Sequence, residues 1–276
     1  MSVKGVYREH RMGIGDEIMR IAFFDSGMGG ITVLKDALKF MPEENYLYYA
    51  DTENVPYGTK ERAEVREYIF KAVEFIFKKN IDVLIIACNT ATSIAIKDLR
   101  AKYTIPIIGM EPAVKPAVER CGNKRVLVTA TPLTLKEDKY ENLVSRLKAD
   151  NIVDSLALPE LVEMAENFQF DKTFVRNYLL DKLSSYNLDL YSTIVLGCTH
   201  FIYYKNLFAR ILPKHIDIID GNRGTINHLL RVLKLNAYRS IEDISFAKNS
   251  INIDFYISAK NGDLNYFYKY LDFYNL

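Results

Sequence analysis

Apolar residues fall into two alternating patterns along this chain. Short continuous runs of strand length occur at 20–24, 46–50, 83–88, 105–110, 125–130, 193–198 and 216–220, most of them rich in Ile, Val, Leu or Tyr. Between them, apolar positions recur every three to four residues. Val65, Ile69, Ala72, Val73 and Ile76 line one face across 63–80, with Lys71, Lys78 and Lys79 elsewhere. Phe174, Tyr178, Leu179 and Leu183 repeat the pattern across 173–183. A strand without a polar face belongs in a sheet covered on both sides. Such strands alternating with amphipathic helices predict an α/β protein with mainly parallel central sheets.

In such folds ligands meet the carboxyl ends of strands, so those ends are read for chemistry. Asp25-Ser26 ends the first run. Asp51 ends the second and is followed by Val55-Pro56-Tyr57-Gly58. Cys88-Asn89-Thr90 ends the third, Thr129 and Thr131 flank the end of the 125–130 run, and Cys198-Thr199-His200 ends the 193–198 run. The segments 82–90 and 192–200 echo each other: both are apolar strands ending in Cys and a hydroxyl or amide residue. Their separation matches one small α/β domain. The echo predicts two similar halves, each offering one cysteine to a shared cleft.

Composition narrows the classes. With 276 residues and 49% hydrophobic content, the chain can build one large domain or two smaller ones. A net charge of +1 excludes nucleic-acid binding driven by bulk charge. Three cysteines without a CxxC pair argue against a disulfide-stapled domain and fit a reducing cytoplasm. Four histidines lack HExxH or Cys/His ligand spacing, so no metal site is expected. Residues 1–18 are polar, carry no apolar core of a signal peptide, and read as a disordered N-terminal extension. No window is long and apolar enough to span a membrane.

Each motif also has a plain structural reading. Gly27-Met28-Gly29-Gly30 follows a strand, but Thr32 stands where a dinucleotide fingerprint needs Gly. A tight turn is the better reading, with free N–H groups at a helix start that can hold a carboxylate. A lone buried Cys is often just a small hydrophobe; two at matching strand ends, beside hydrogen-bonding groups, point to chemistry. Cys121, in a helix-to-strand turn, reads as structural. The aromatic tail 255–274 reads as strand and helix packing. His200, two residues past Cys198, can favour or orient its thiolate. Among acids, Asp25 ends a buried strand, and Glu163 lies at a strand end or helix start.

Taken together, these residues resemble the glutamate racemase family within the aspartate/glutamate racemase superfamily. The matching segments are 24–30, 50–52 leading to Pro56-Tyr57-Gly58, Ala87-Cys88-Asn89-Thr90-Ala91-Thr92, and Leu196-Gly197-Cys198-Thr199-His200-Phe201. The order and spacing agree across residues 20 to about 220. The resemblance implies two α/β domains with the active site in the cleft between them: 19–113 plus 224–276, and 114–223. It implies racemisation of glutamate with no pyridoxal phosphate or metal, and Cys88 and Cys198 as the acid–base pair. Asp25, Glu163 and His200 match groups that assist the thiols. Asp25, Ser26, Pro56, Tyr57, Gly58, Asn89, Thr90, Thr134, Thr199 and His200 match substrate-binding positions. The chain departs from the family at Glu137, where a serine is frequent, at Leu158 and Glu160, where Cys and Pro are frequent, and at Gly221, where a serine is frequent.

Removing the Cα proton from one face and returning one to the other calls for two bases on opposite sides. A thiol of ordinary pKa near 8.5 is mostly protonated at neutral pH, so each needs help. Without a cofactor electron sink, hydrogen bonds and a closed cleft must stabilise the carbanion. The expected partner is a small molecule, glutamate, with no nucleic acid or membrane; a homodimer is compatible with the sequence. The product D-glutamate would feed peptidoglycan synthesis. Alternatives are a racemase for aspartate or another amino acid, a one-cysteine decarboxylase of related fold, and a two-lobed binding module. Paired cysteines argue against the last two.

Overall fold

A computed structural model describes residues 18–235, 252–259 and 264–273. The extension expected at 1–18 lies outside these residues, except for Ile18. In chain order the elements are β1 (Arg20–Asp25), α1 (Ile31–Phe40), β2 (Asn45–Ala50), α2 (Arg62–Phe77), β3 (Val83–Ile86), α3 (Asn89–Lys102), β4 (Ile107–Gly109) and α4 (Val114–Arg120). There follow β5 (Arg125–Ala130), α5 (Pro132–Lys136), α6 (Asp138–Arg146), β6 (Val153–Ala157), α7 (Glu160–Glu166), α8 (Thr173–Leu183), β7 (Tyr191–Leu196) and α9 (Lys205–Ile211). The chain closes with β8 (Asp217–Asp220), α10 (Asn222–Val232), β9 (Asn252–Ile257) and α11 (Leu264–Phe273).

The strands form two sheets, ordered β4-β3-β1-β2-β9 and β6-β5-β7-β8, and every pairing among the described residues is parallel. The expected α/β class with two parallel sheets is observed. The chain builds four strands of the first sheet, crosses to make the whole second sheet, and returns through α10 to add β9 at an edge.

Each run expected from the sequence is a strand. The two further strands, β6 and β9, lie at sheet edges. The half-exposed β6 (VDSLA) buries only Leu156 and shows no continuous apolar run. The helical pattern at 63–80 becomes α2, ending at Phe77, and the 173–183 pattern matches α8. The aromatic tail is β9 and α11, and Cys121 caps the end of α4 with its thiol on the Val118 carbonyl at 3.1 Å.

Both halves share one apolar cluster. It joins Ile21, Phe23 and Tyr48 of the first sheet to Leu161, Phe201 and Phe208 of the second half, with Phe267 and Tyr270 of α11 between them. Among the described residues, no helix is long and apolar enough to cross a membrane.

Candidate active site

The register aligns the chemistry-bearing strand ends. Phe24 pairs with Ile86 and with Tyr49, so β1, β2 and β3 finish level and deliver Asp25, Asp51 and Cys88 to one edge. In the second sheet Thr129 pairs with Leu196, so Thr131 and Cys198 leave side by side. The two edges face each other.

On the first side, Cys88 is the N-cap of α3, and its sulfur accepts the Ala91 N–H at 3.4 Å. Its thiol donates to Ser26 Oγ at 3.6 Å, and Ser26 donates to Asp25 Oδ1 at 3.4 Å. Asp25 is fully buried and also accepts the Gly27 N–H at 2.9 Å. Burial pushes its carboxyl up to about 6, against the His200 charge and the Gly27 N–H, which favour the carboxylate. Burial also pushes the Cys88 thiol up to about 12, with the Asp25 charge adding to the rise.

On the second side, Cys198 Sγ lies 3.8 Å from His200 Nδ1, and His200 Nε2 lies 2.6 Å from Glu166 Oε1. Burial opposes an imidazolium here. The hydrogen bonds to Cys198 and Glu166 outweigh it and hold His200 well above the usual imidazole range. Thr199 crosses the cleft, donating to Asp25 Oδ2 at 3.1 Å.

Glu163 is corrected by the structure. It is exposed, and its backbone carbonyl receives Asn167; the carboxylate on His200 belongs to Glu166, one helical turn later. The 27–30 turn, which the sequence reads as able to hold a carboxylate, gives its Gly27 N–H to Asp25 at 2.9 Å and its Met28 N–H to the Glu166 carboxylate at 2.7 Å.

The remaining expected residues come together. Thr90, Thr131 and Thr134 form a buried triangle of hydroxyls at 2.9–3.0 Å that bridges the two halves. Thr131, marked in the sequence only as a strand-end residue, joins the site through its contact with Thr134, three residues on. Asn89 Oδ1 is buried without a hydrogen-bond partner among the described residues. Pro56 precedes a 3₁₀ turn, Tyr57–Thr59, in which the Tyr57 hydroxyl donates to Asp51 and Gly58 packs on Thr131. A Cβ at Gly58 would lie 2.3 Å from Thr131 Cβ, so only glycine permits this approach. Arg62 of α2 reaches over the cleft to Glu137, with Nε 3.0 and 3.2 Å from its two oxygens. Among the described residues, no three His, Cys, Asp or Glu side chains converge as a metal-ligand set.

A family model for Asp/Glu/hydantoin racemases matches residues 33–229. The chain belongs to this racemase family. It is an amino-acid racemase, and sequence relatives support the assignment across nearly its whole length. Glutamate racemase of Halothermothrix orenii is 59% identical over 254 residues, covering 92% of this chain and 98% of that relative. Glutamate racemase 2 of Bacillus subtilis is 56% identical over 217 residues, covering 78% and 82%. Among solved structures, this racemase resembles Escherichia coli glutamate racemase in complex with L-glutamate and the activator UDP-MurNAc-Ala. That match has TM-score 0.79 and 25% identity, covering 94% of this chain and 96% of that one. Campylobacter jejuni glutamate racemase superposes with TM-score 0.76 at 27% identity, covering 94% and 99%.

Proposed function

We propose that this racemase interconverts L- and D-glutamate with two thiols, Cys88 and Cys198, acting on opposite faces of Cα. One observation carries the reading. Two buried cysteines end matching strands, and each is linked by hydrogen bonds to its own acid, through Ser26 to the buried Asp25 and through His200 to the part-buried Glu166. The names of the relatives at 59% and 56% identity support glutamate as the substrate.

In one direction a thiolate takes the Cα proton, and the electron pair stays on the substrate as a carbanion. The opposite thiol then gives its proton to the other face and becomes the thiolate. The reverse reaction exchanges the roles. A protonated His200 donates toward Cys198 through Nδ1 and to Glu166 through Nε2, and so stabilises charge on that sulfur. Cys88, held high by burial, needs a positive charge brought to it. The substrate ammonium supplies it, and the unpaired Asn89 Oδ1 is an acceptor suited to that ammonium. The first turn of α3 has N–H groups without intrahelical partners, and with Thr90 and Thr134 it can hold a substrate carboxylate. No pyridoxal or metal step is needed.

Entry requires opening, because Cys88 and Cys198 are only 6% and 7% exposed. The moving bodies are the two α/β domains, one built on each sheet; closure excludes water around the carbanion. The reading places the enzyme in the cytoplasm, supplying D-glutamate for peptidoglycan. Following the optical rotation of L-glutamate with purified protein and no added cofactor tests the function. Decay toward zero supports it, and a flat trace with glutamate but movement with aspartate contradicts the substrate.

A further inference from the structure

The end of α7 is built in an unusual way. Gln169 N–H returns to the Met164 carbonyl and Phe168 N–H to the Ala165 carbonyl, the paired closure that normally uses glycine at the left-handed position. Here that position is Phe168, with φ 56°. This closure satisfies the carbonyls of Met164 and Ala165 but gives no backbone partner to that of Glu166. Two tyrosines of α11 take its place. Tyr270 Oη lies 2.9 Å from the Glu166 carbonyl and 2.6 Å from the Ala165 carbonyl and shares its one hydrogen between them, and the Tyr266 hydroxyl also reaches Glu166 O. The two hydroxyls touch each other at 2.7 Å.

The same helix holds Phe168. Its ring meets Tyr270 and Phe273 edge-on at 5.0 and 5.3 Å, with Lys269 Nζ 3.8 Å above it. One residue past Tyr270, α11 is anchored on α1, where the buried Lys35 donates to the Leu271 carbonyl at 3.0 Å. So α11, chained to the first sheet through β9, grips the residue whose carboxylate holds His200.

We propose that Tyr266 and Tyr270 are positioning residues for the Cys198 side of the reaction, fixing the last turn of α7 and thereby the Glu166 carboxylate. The inference rests on the two-thiol reading above. Loosening the turn lets the Glu166 carboxylate drift from His200 and Met28, and the imidazole loses the partner that orients it toward Cys198. The Cys88 side, built on β1 and α3, feels the change only indirectly, through the Met28 N–H that shares the Glu166 carboxylate.

The test is the double variant Tyr266→Phe/Tyr270→Phe, which keeps both rings and removes both hydroxyls. The kcat/KM falls about tenfold or more. The discriminating measurement is the primary isotope effect with α-deuterated D- and L-glutamate. Weakening one proton transfer raises the effect for the enantiomer deprotonated by Cys198 and lowers it for the other. Damage to the fold alone slows both and splits neither. Tyr266→Phe, which removes only the half-buried tyrosine's hydroxyl, gives the same split in smaller measure and serves if the double variant does not fold. Wild-type rates, or a loss with both isotope effects unchanged, would overturn the inference. Cys88→Ala and Cys198→Ala assayed alongside separate this from the two-thiol reading: if either keeps activity, that reading fails on its own account.

Discussion

Asp25 accepts the hydroxyl of Thr199 from the opposite half of the molecule, at 3.1 Å. The acid beside Cys88 is therefore tied directly to the neighbour of Cys198. Asp25 is fully buried, and burial pushes its carboxyl up to about 6 although the Thr199 hydrogen bond favours the carboxylate.

The raised carboxyl has a pH signature. Between about pH 4 and pH 6 the folded chain keeps a proton on Asp25 that the unfolded chain has released. Stability from this group is greatest below that window and falls as pH rises through it, by up to ~3 kcal/mol. Asp25→Asn is expected to raise stability at pH 7.5 by about 1 kcal/mol while lowering kcat at least tenfold. Thermal melts of both proteins at pH 5 and 7.5 check this: the gain should shrink toward pH 5.

Glu166 and Glu163 separate by substitution. Glu166→Gln removes the charge that holds His200 protonated and should lower kcat by about 10²-fold, with the imidazole titrating at lower pH than in the wild type. Glu163→Gln should stay within about twofold of wild type, as befits an exposed side chain. Steady-state kinetics with NMR titration of the histidines reads both effects.

Gly58→Ala should prise the halves apart. The added Cβ meets Thr131, which is locked to Thr90 and Thr134, so the 3₁₀ turn must back away and the hydroxyl triangle must stretch. An ångström of misplacement can cost about 10²-fold in rate. The loss should appear in kcat/KM, with little change in the circular dichroism spectrum.

Arg62 and Glu137 form a latch between the halves. The Glu137 side chain is 7% exposed while that of Arg62 is 56% exposed. Removing the arginine leaves a buried carboxylate without its cation, so Arg62→Ala should cost about 1–2 kcal/mol of stability. Arg62→Ala/Glu137→Gln should recover most of that loss, because the uncompensated charge is gone. Urea unfolding of the three proteins measures it.

Much of this site is legible in the sequence because parallel strands expose their ends in a fixed place. Asp25, Cys88 and Cys198 are identified by standing at the stops of apolar runs, and they lie where that logic puts them. Glu166 was not legible for a reason of helical geometry. Glu160, Glu163 and Glu166 repeat every three residues in ELVEMAE, and three-residue spacing keeps all of them near one face. Only the angle at which α7 meets His200 selects among them. The strand β6 escaped because a half-exposed strand lacks a continuous apolar run, whereas β9 falls partly in the aromatic tail that reads as strand and helix packing. The role of the 27–30 turn changed because its anion is another side chain of the same protein, distant in sequence.

The most direct test of the central claim is racemisation by Cys88→Ala and Cys198→Ala, measured from both D- and L-glutamate by circular dichroism. The two-thiol account predicts that each variant folds as the wild type does and loses at least about 10³-fold of its activity from either enantiomer. Near wild-type racemisation by either variant would contradict it.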